Sequence, residues 1–330
     1  MTDDRPSAPA APLPTSAAFS PATVDDVMAA LARESYIADR GLATAIFLAL
    51  KRHKPLLLEG EPGVGKTEVA RVLSDLLQTR LIRLQCYEGI DQSTAVYEWN
   101  YARQLLYIRL LDTGEGEAHN PGGYSVAERA ARLKDVFGPE FLIQRPLLEA
   151  LDASSERPPV LLIDELDRSD AEFEAYLLEL LSDYQITIPE IGPVRAAQPP
   201  VIVITSNRTR DIHDALRRRC LYYWIEYPTL EKEYEIVKAR APEASDALAR
   251  QVVIFVQLLR AEDLFKSPGV AETLDWIGAL VALGQDELTE GNVRDSIGAL
   301  LKYQDDTQKV ASGGLLARLV EKARNTVLKN

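Results

Sequence analysis

Cysteine and histidine are scarce in this chain of 330 residues, with two of the first and three of the second. Cys86 and Cys220 both fall inside apolar stretches that read as strands, which argues against a disulfide framework or a thiolate zinc site and for small core residues. His53, His119 and His213 are scattered without ligand spacing, so they read as ordinary surface or core histidines. Long apolar runs are missing as well. Leu42 to Leu50, with Thr44 inside it, is far short of the roughly 18 to 20 residues that a membrane helix needs. No basic-then-apolar signal opens the chain, and Asp3 and Asp4 weigh against a transit peptide, so a cytoplasmic protein without membrane insertion is expected. Basic charge is the last shortage. A formal charge of −13 with a pI near 4.9 argues against wrapping nucleic acid by a general positive field, although a local basic channel stays open. No internal repeat and no useful heptad run is present.

What is present is enough apolar material, 46% of residues, for one large domain and a smaller one. The most informative stretch runs from Pro55 to Val72: a short apolar strand, a glycine-rich turn and a helix start. Its Gly-x-x-x-x-Gly-Lys-Thr spacing is that of a phosphate cradle. Gly60, Gly63 and Gly65 let the backbone take positive φ and approach a polyphosphate, while turn and helix amides point at the anion. Lys66 adds a point charge for the β and γ phosphates, and the Thr67 hydroxyl is placed to coordinate Mg²⁺. The cradle is therefore expected to comprise Gly60, Glu61, Pro62, Gly63, Val64, Gly65, Lys66, Thr67 and Glu68. Val69, Val72, Leu73, Leu76 and Leu77 then follow at amphipathic-helix spacing. The bland alternative is a glycine-rich strand-to-helix turn with a surface lysine.

In chain order, residues 1–21 read as a disordered Pro/Ala-rich leader. Val24 to Leu31 and Leu42 to Leu50 read as two helices joined by Glu34 to Ala38, a turn placed to close over a nucleotide base. A strand over Leu81 to Tyr87 leads into an enlarged crossover at about 88–158. Tyr97 to Tyr101 and Leu105 to Ile108 are expected to be ordered there, Gly114 to Gly123 to be a mobile loop, and Ala127 to Leu133 and Leu142 to Leu151 to be helical. Pro159 to Ile163, Val201 to Thr205 and Leu221 to Glu226 complete five strands, so a five-stranded parallel sheet with helices on both faces is expected. Gln185 to about residue 195 reads as a hairpin. From 229 to 330 only helical patterns remain: Glu231 to Ala239, Asp246 to Leu264, Val270 to Leu283, Val293 to Tyr303 and Leu315 to Val327. These suggest a small all-α domain after an α/β core at 22–228.

A parallel sheet binds its ligand beyond the carboxyl ends of its strands. Asp164, directly after Val-Leu-Leu-Ile, is placed to hold Mg²⁺ through water, and Glu165 to polarise the water that attacks a γ-phosphate. Asn207 closes the next strand and could hold the same water; a strand-capping asparagine is the dull alternative. Arg217, Arg218 and Arg219 precede the last strand, either as a surface basic patch or as donors to phosphate oxygens.

The set Gly-Glu-Pro-Gly-Val-Gly-Lys-Thr, Leu-Leu-Ile-Asp-Glu-Leu-Asp-Arg, Ile-Thr-Ser-Asn, Ala-Leu-Arg-Arg-Arg-Cys and Ile-Thr-Ile-Pro-Glu-Ile-Gly resembles the P-loop NTPases of the AAA+ class, and within them the MoxR family. Leu221 to Pro228 and Gly269 to Trp276 are similar to its CoxD-like branch. The resemblance implies an ATPase using ATP and Mg²⁺ in a ring, usually a hexamer. It puts Walker A at Gly60 to Thr67, Walker B at Asp164 and Glu165, sensor 1 at Asn207 and the arginine finger at Arg219, with Arg218 as rival. It also implies a chaperone-like role with a von Willebrand factor A domain partner and a client, the branch being associated with metal centres of molybdenum hydroxylases such as carbon monoxide dehydrogenase. Gly269 departs from the pattern, because relatives place a lid arginine there; either Lys266 or Arg294 substitutes for it, or this sensor is missing. Two other uses of the same engine stay open, a nucleic-acid motor or loader and an ATP-binding switch with little turnover.

Overall fold

A computed structural model describes residues 19–113, 136–152 and 157–327. The leader up to residue 18, the Gly114 to Gly123 loop and the Ala127 to Leu133 helix lie outside the described residues.

Two helices, α1 (Val24–Arg33) and α2 (Arg40–Arg52), come first. Thr23 and Asp26 cap α1 reciprocally, and Asp39 caps α2, each supplying an acceptor that the first helical amides lack. Next come β1 (Leu56–Gly60), α3 (Lys66–Leu77) and β2 (Leu81–Gln85). The enlarged crossover contains α4 (Gln92–Ala95), β3 (Tyr97–Trp99), α5 (Tyr101–Thr113), β4 (Leu142–Gln144) and α6 (Pro146–Glu149). Then follow β5 (Val160–Asp164), α7 (Ala171–Asp183), the hairpin of β6 (Gln185–Ile188) and β7 (Gly192–Arg195), β8 (Val201–Ser206), α8 (Asp214–Arg217) and β9 (Leu221–Ile225). Six helices end the chain: α9 (Leu230–Arg240), α10 (Asp246–Arg260), α11 (Val270–Ala282), α12 (Glu290–Leu300), α13 (Gln304–Ala311) and α14 (Leu315–Val327).

The five long strands form one parallel sheet in the order β2-β5-β8-β1-β9, the P-loop NTPase arrangement. Every residue of β1 and β5 is buried, whereas edge strand β2 alternates exposed and buried. Central strands covered on both faces read as continuous apolar runs, and an edge strand with one open face reads as an alternation. Leu57, Leu161, Ile163 and Ile204 face one core with Phe173 and Leu177 of α7. Leu56, Leu58, Leu162 and Val203 face the opposite core with α1, α2 and α3. The C-terminal helices enclose a core of their own around Phe255 and Trp276, whose rings lie 5.1 Å apart.

Two expectations need correction. Leu142 to Leu151 is not one helix: Leu142–Gln144 pairs antiparallel with Tyr97–Trp99, and the helix starts only at Pro146, whose fixed φ suits a first helical turn. Helix α13 has no counterpart in the sequence reading, because only Asp306 and Val310 of its eight residues are buried and no apolar stripe marks it. The 185–195 hairpin forms as expected.

Candidate functional site

Strand β1 ends where only glycine fits: a Cβ on Gly60 would lie 2.3 Å from the carbonyl oxygen of Ile225 on neighbouring β9. Gly63 and Gly65 then carry the turn at φ +77° and +90°. Gly65 caps α3 without a side-chain acceptor, so the first amides of that helix remain available to an anion. Lys66 is buried and folds onto the turn, its Nζ donating to the carbonyls of Gly60 at 2.8 Å and Glu61 at 2.7 Å. Burial pulls its pKa down to about 8, against the opposing pull of Asp167, Glu61, Asp164 and Glu165.

At the end of β5, buried Asp164 accepts hydrogen bonds from Thr67 Oγ1 at 3.0 Å, Thr205 Oγ1 at 2.5 Å and Arg83 at 2.6 Å. Glu165 stands at φ +54°, with its amide donating to Thr205 Oγ1 at 2.9 Å. Its carboxylate accepts from Gln85 Nε2 and from Arg168, each at 3.0 Å. Asp167 organises the loop after β8 by accepting from the amides of Asn207 at 3.2 Å and Thr209 at 2.9 Å.

These groups meet at a cavity of about 410 Å³. Its polar lining includes Lys66, Thr67, Asp164, Glu165, Thr205 and Asn207, and its apolar lining includes Tyr36, Ile37, Pro228, Ile236 and Leu274. Ser35, Tyr36 and Ile37 of the expected base-closing turn do line it. The Tyr36 hydroxyl donates to the Gly65 carbonyl at 3.4 Å, and burial raises its pKa. Polar groups beside free helix amides, together with apolar lining, suit a molecule that carries both phosphates and a flat ring. The Thr67 hydroxyl and Asp164 carboxylate form a hard-oxygen pair beside the phosphate turn, which fits Mg²⁺.

The three arginines are not equivalent. Arg217 is held by the fully buried carboxylate of Glu59 at 2.8 Å. Arg219 donates to the Ala215 carbonyl at 2.8 Å and to Ser182 Oγ. Arg218 is exposed, and its side chain makes no hydrogen bond or ion pair among the described residues. None of the three lines the cavity of its own chain. Neither Lys266 nor Arg294 reaches it either: Lys266 borders a separate groove with Trp224 and Phe265, and Arg294 is exposed on α12. The cations that do line it from the C-terminal helices are Lys232 and Arg240 of α9.

Residues 55–220, half of the chain, match the family described as AAA domain (dynein-related subfamily). The chain belongs to this AAA domain family. An uncharacterized protein of Staphylococcus haemolyticus is 25% identical to it over 238 residues, 70% of this chain and 77% of the other. One of Staphylococcus saprophyticus is 23% identical over 241 residues, 71% and 78% of the two chains. Among solved structures, the Thermotoga maritima RuvB Holliday junction branch migration motor aligns with a TM-score of 0.43 at 20% identity, over 87% of this chain and 74% of that one. A point mutant of the same RuvB gives a TM-score of 0.46 at 19% identity, over 88% and 76%.

Several residues of the AAA domain's site escaped the sequence reading. Arg83 and Gln85 reach Asp164 and Glu165 from β2, where Gln85 pairs in register with Asp164. Their signal was available: in a strand with Ile82 and Leu84 buried, positions 83 and 85 share the other face. Thr205 and Asp167 carried no such signal, since only the adjacency of β5 and β8 brings them together.

Proposed function

We propose that this AAA domain protein hydrolyses ATP with Mg²⁺ in a ring of copies, and uses the turnover to remodel or mature a client protein. The observation that carries this reading is the convergence of Lys66, Thr67, Asp164, Glu165 and Asn207, from three strands well separated in sequence, on one cavity that also has apolar lining. Lys66 and the turn amides bind and orient the phosphates. Mg²⁺ held by Thr67, and by Asp164 through water, would offset charge on the phosphate oxygens. Glu165 orients the attacking water and accepts its proton, and Asn207 holds that water in line. Arg219, with Arg218 as the nearby alternative, lies away from its own chain's cavity and would serve the neighbour's, where such a finger raises turnover by about 10³ to 10⁵.

A ring, client contact through the 185–195 hairpin and the insertion around 88–158, a von Willebrand factor A domain partner, and cytoplasmic work on a metal centre such as that of a molybdenum hydroxylase complete the proposal. Their support is the order of motifs shared with MoxR-type proteins of the CoxD-like branch. Among the described residues no helix is long and apolar enough to cross a membrane.

Steady-state ATP turnover tests the reading. Lys66→Ala should lose nucleotide binding, and Glu165→Gln should bind ATP while turning it over about 10² to 10⁴ times more slowly. Binding without turnover by the wild type would make the chain a switch. Strong stimulation by DNA would instead make it a nucleic-acid motor.

A further inference from the structure

Position 269 cannot hold an arginine in this fold. Gly269 caps α11, its amide donating to Glu272 Oε2 at 3.0 Å, and a Cβ there would lie 2.8 Å from both Gly63 Cα and the Pro62 carbonyl oxygen. Reciprocally, a Cβ on Gly63 would meet Glu272 Oε2 at 2.7 Å. The Ala271 amide donates to the Gly63 carbonyl at 3.2 Å, so α11 lies backbone to backbone on the phosphate turn. The approach is braced from behind. Arg260 donates to the Pro268 carbonyl at 2.7 Å and binds Glu233 through both terminal nitrogens, at 2.6 and 2.7 Å, in the buried interior of the C-terminal helices.

The charged face toward the cavity comes from another helix. Lys232, Ile236 and Arg240 follow one another at intervals of four along α9, the spacing of a single helical face, and all three line the cavity. Lys232 pairs with Asp39 at 3.1 Å, and Arg240 pairs with Glu68 at 2.8 Å. Glu68 also accepts from Arg71 Nε at 3.0 Å. Hydrogen bonds from Arg71 and then Arg240 keep the Glu68 carboxyl below its ordinary pKa. If Arg240 turned to a phosphate, Glu68 would therefore keep one cationic partner, which lowers the cost of the exchange.

We propose that α9 is the nucleotide-sensing face of the helical lid, with Arg240 as the cation that engages bound nucleotide, while α11 is the backbone pivot set by Gly63 and Gly269. The inference rests on the reading of the cavity as an ATP site. Ile236, between the two cations, supplies an apolar contact on the same face.

Equilibrium binding of a fluorescent ATP analogue to the full chain tests this. Arg240→Ala should weaken binding about 10-fold or more, as loss of a hydrogen bond to a charged group does, and Arg240→Lys should recover part of it. Lys266→Ala and Arg294→Ala should stay within about twofold of wild type by the same measure. Glu68→Gln loosens Arg240 from its resting partner and should tighten binding. An equal loss in Glu68→Gln and Arg240→Ala would mean that Arg240 only braces α3, and would overturn the proposal. So would wild-type affinity in Arg240→Ala, or a loss in Lys266→Ala or Arg294→Ala instead. If wild type failed to bind, or Lys66→Ala bound as well as wild type, the ATP reading itself would fall, and this inference with it.

Discussion

Raising the pH from 7 to 9 should weaken ATP binding about tenfold through Lys66 alone. Burial sets the pKa of this lysine at about 8, down from 10.5, in the nucleotide-free protein. At pH 7 roughly nine-tenths of the molecules carry the charge, and at pH 9 roughly one-tenth. Phosphates beside Nζ favour the charged form, so binding above pH 8 must draw in a proton. Because the factor 1 + 10^(pH − pKa) grows from about 1.1 to about 11, the affinity falls about tenfold, or about 1.4 kcal/mol. Stability runs the other way. The folded pKa lies below the unfolded one, so between about pH 8 and 10.5 the unfolded chain binds more protons and stability rises with pH. Below pH 8 the burial penalty, on the order of 3 kcal/mol, is present in full. Titration calorimetry in two buffers of different ionisation enthalpy at pH 8.5 reads the proton directly, and urea unfolding against Lys66→Met reads the penalty. Binding at pH 8.5 with no proton uptake, and an affinity flat from pH 7 to 9, would refute the assignment.

Three further outcomes follow from named contacts. Glu233→Ala strands Arg260 in the interior of the C-terminal helices and should cost about 3 to 5 kcal/mol in urea unfolding, whereas Arg40→Ala, at an exposed pair with Asp25, should change little. Asp167→Ala leaves the Asn207 and Thr209 amides without their acceptor; it should cost about 1 to 3 kcal/mol in the same assay and lower kcat more than it changes KM. Gly269→Ala drives a methyl group into Gly63 and Pro62, and should lower the melting temperature and weaken ATP binding together, whereas Gly278→Ala, with open space around its Cβ, should raise the melting temperature slightly if it moves it at all.

The sheet was legible because its strands carry their signals locally. Val160 to Ile163 is a short apolar run because both faces are covered, and the glycines of 60–65 are required by backbone geometry at Gly60. The side-chain network around Asp164 was legible only in part: Thr67 and Asp164 were expected at one Mg²⁺, and the alternation of β2 marked Arg83, but Thr205 joins them only through strand order. A sequence shows that order only after the crossovers are known. Lys266 and Arg294, the expected substitutes for the missing lid arginine, do not line the cavity. Arg240 was not legible because it joins the cavity only through the packing of α9 against the core. The split role of Arg217, Arg218 and Arg219 had the same cause, since buried Glu59 claims the first of three identical side chains.

The most direct test of the central claim, a hydrolytic site shared between copies, is turnover in a mixture of two inactive variants. Lys66→Ala lacks its own phosphate grip but keeps Arg219, and Arg219→Ala has the reverse defect. Mixed in equal amounts, they should recover a measurable fraction of wild-type ATP turnover, and wild-type specific activity should climb with protein concentration. Turnover by wild type at the same specific activity over all concentrations, with Arg219→Ala fully active alone, would contradict the account.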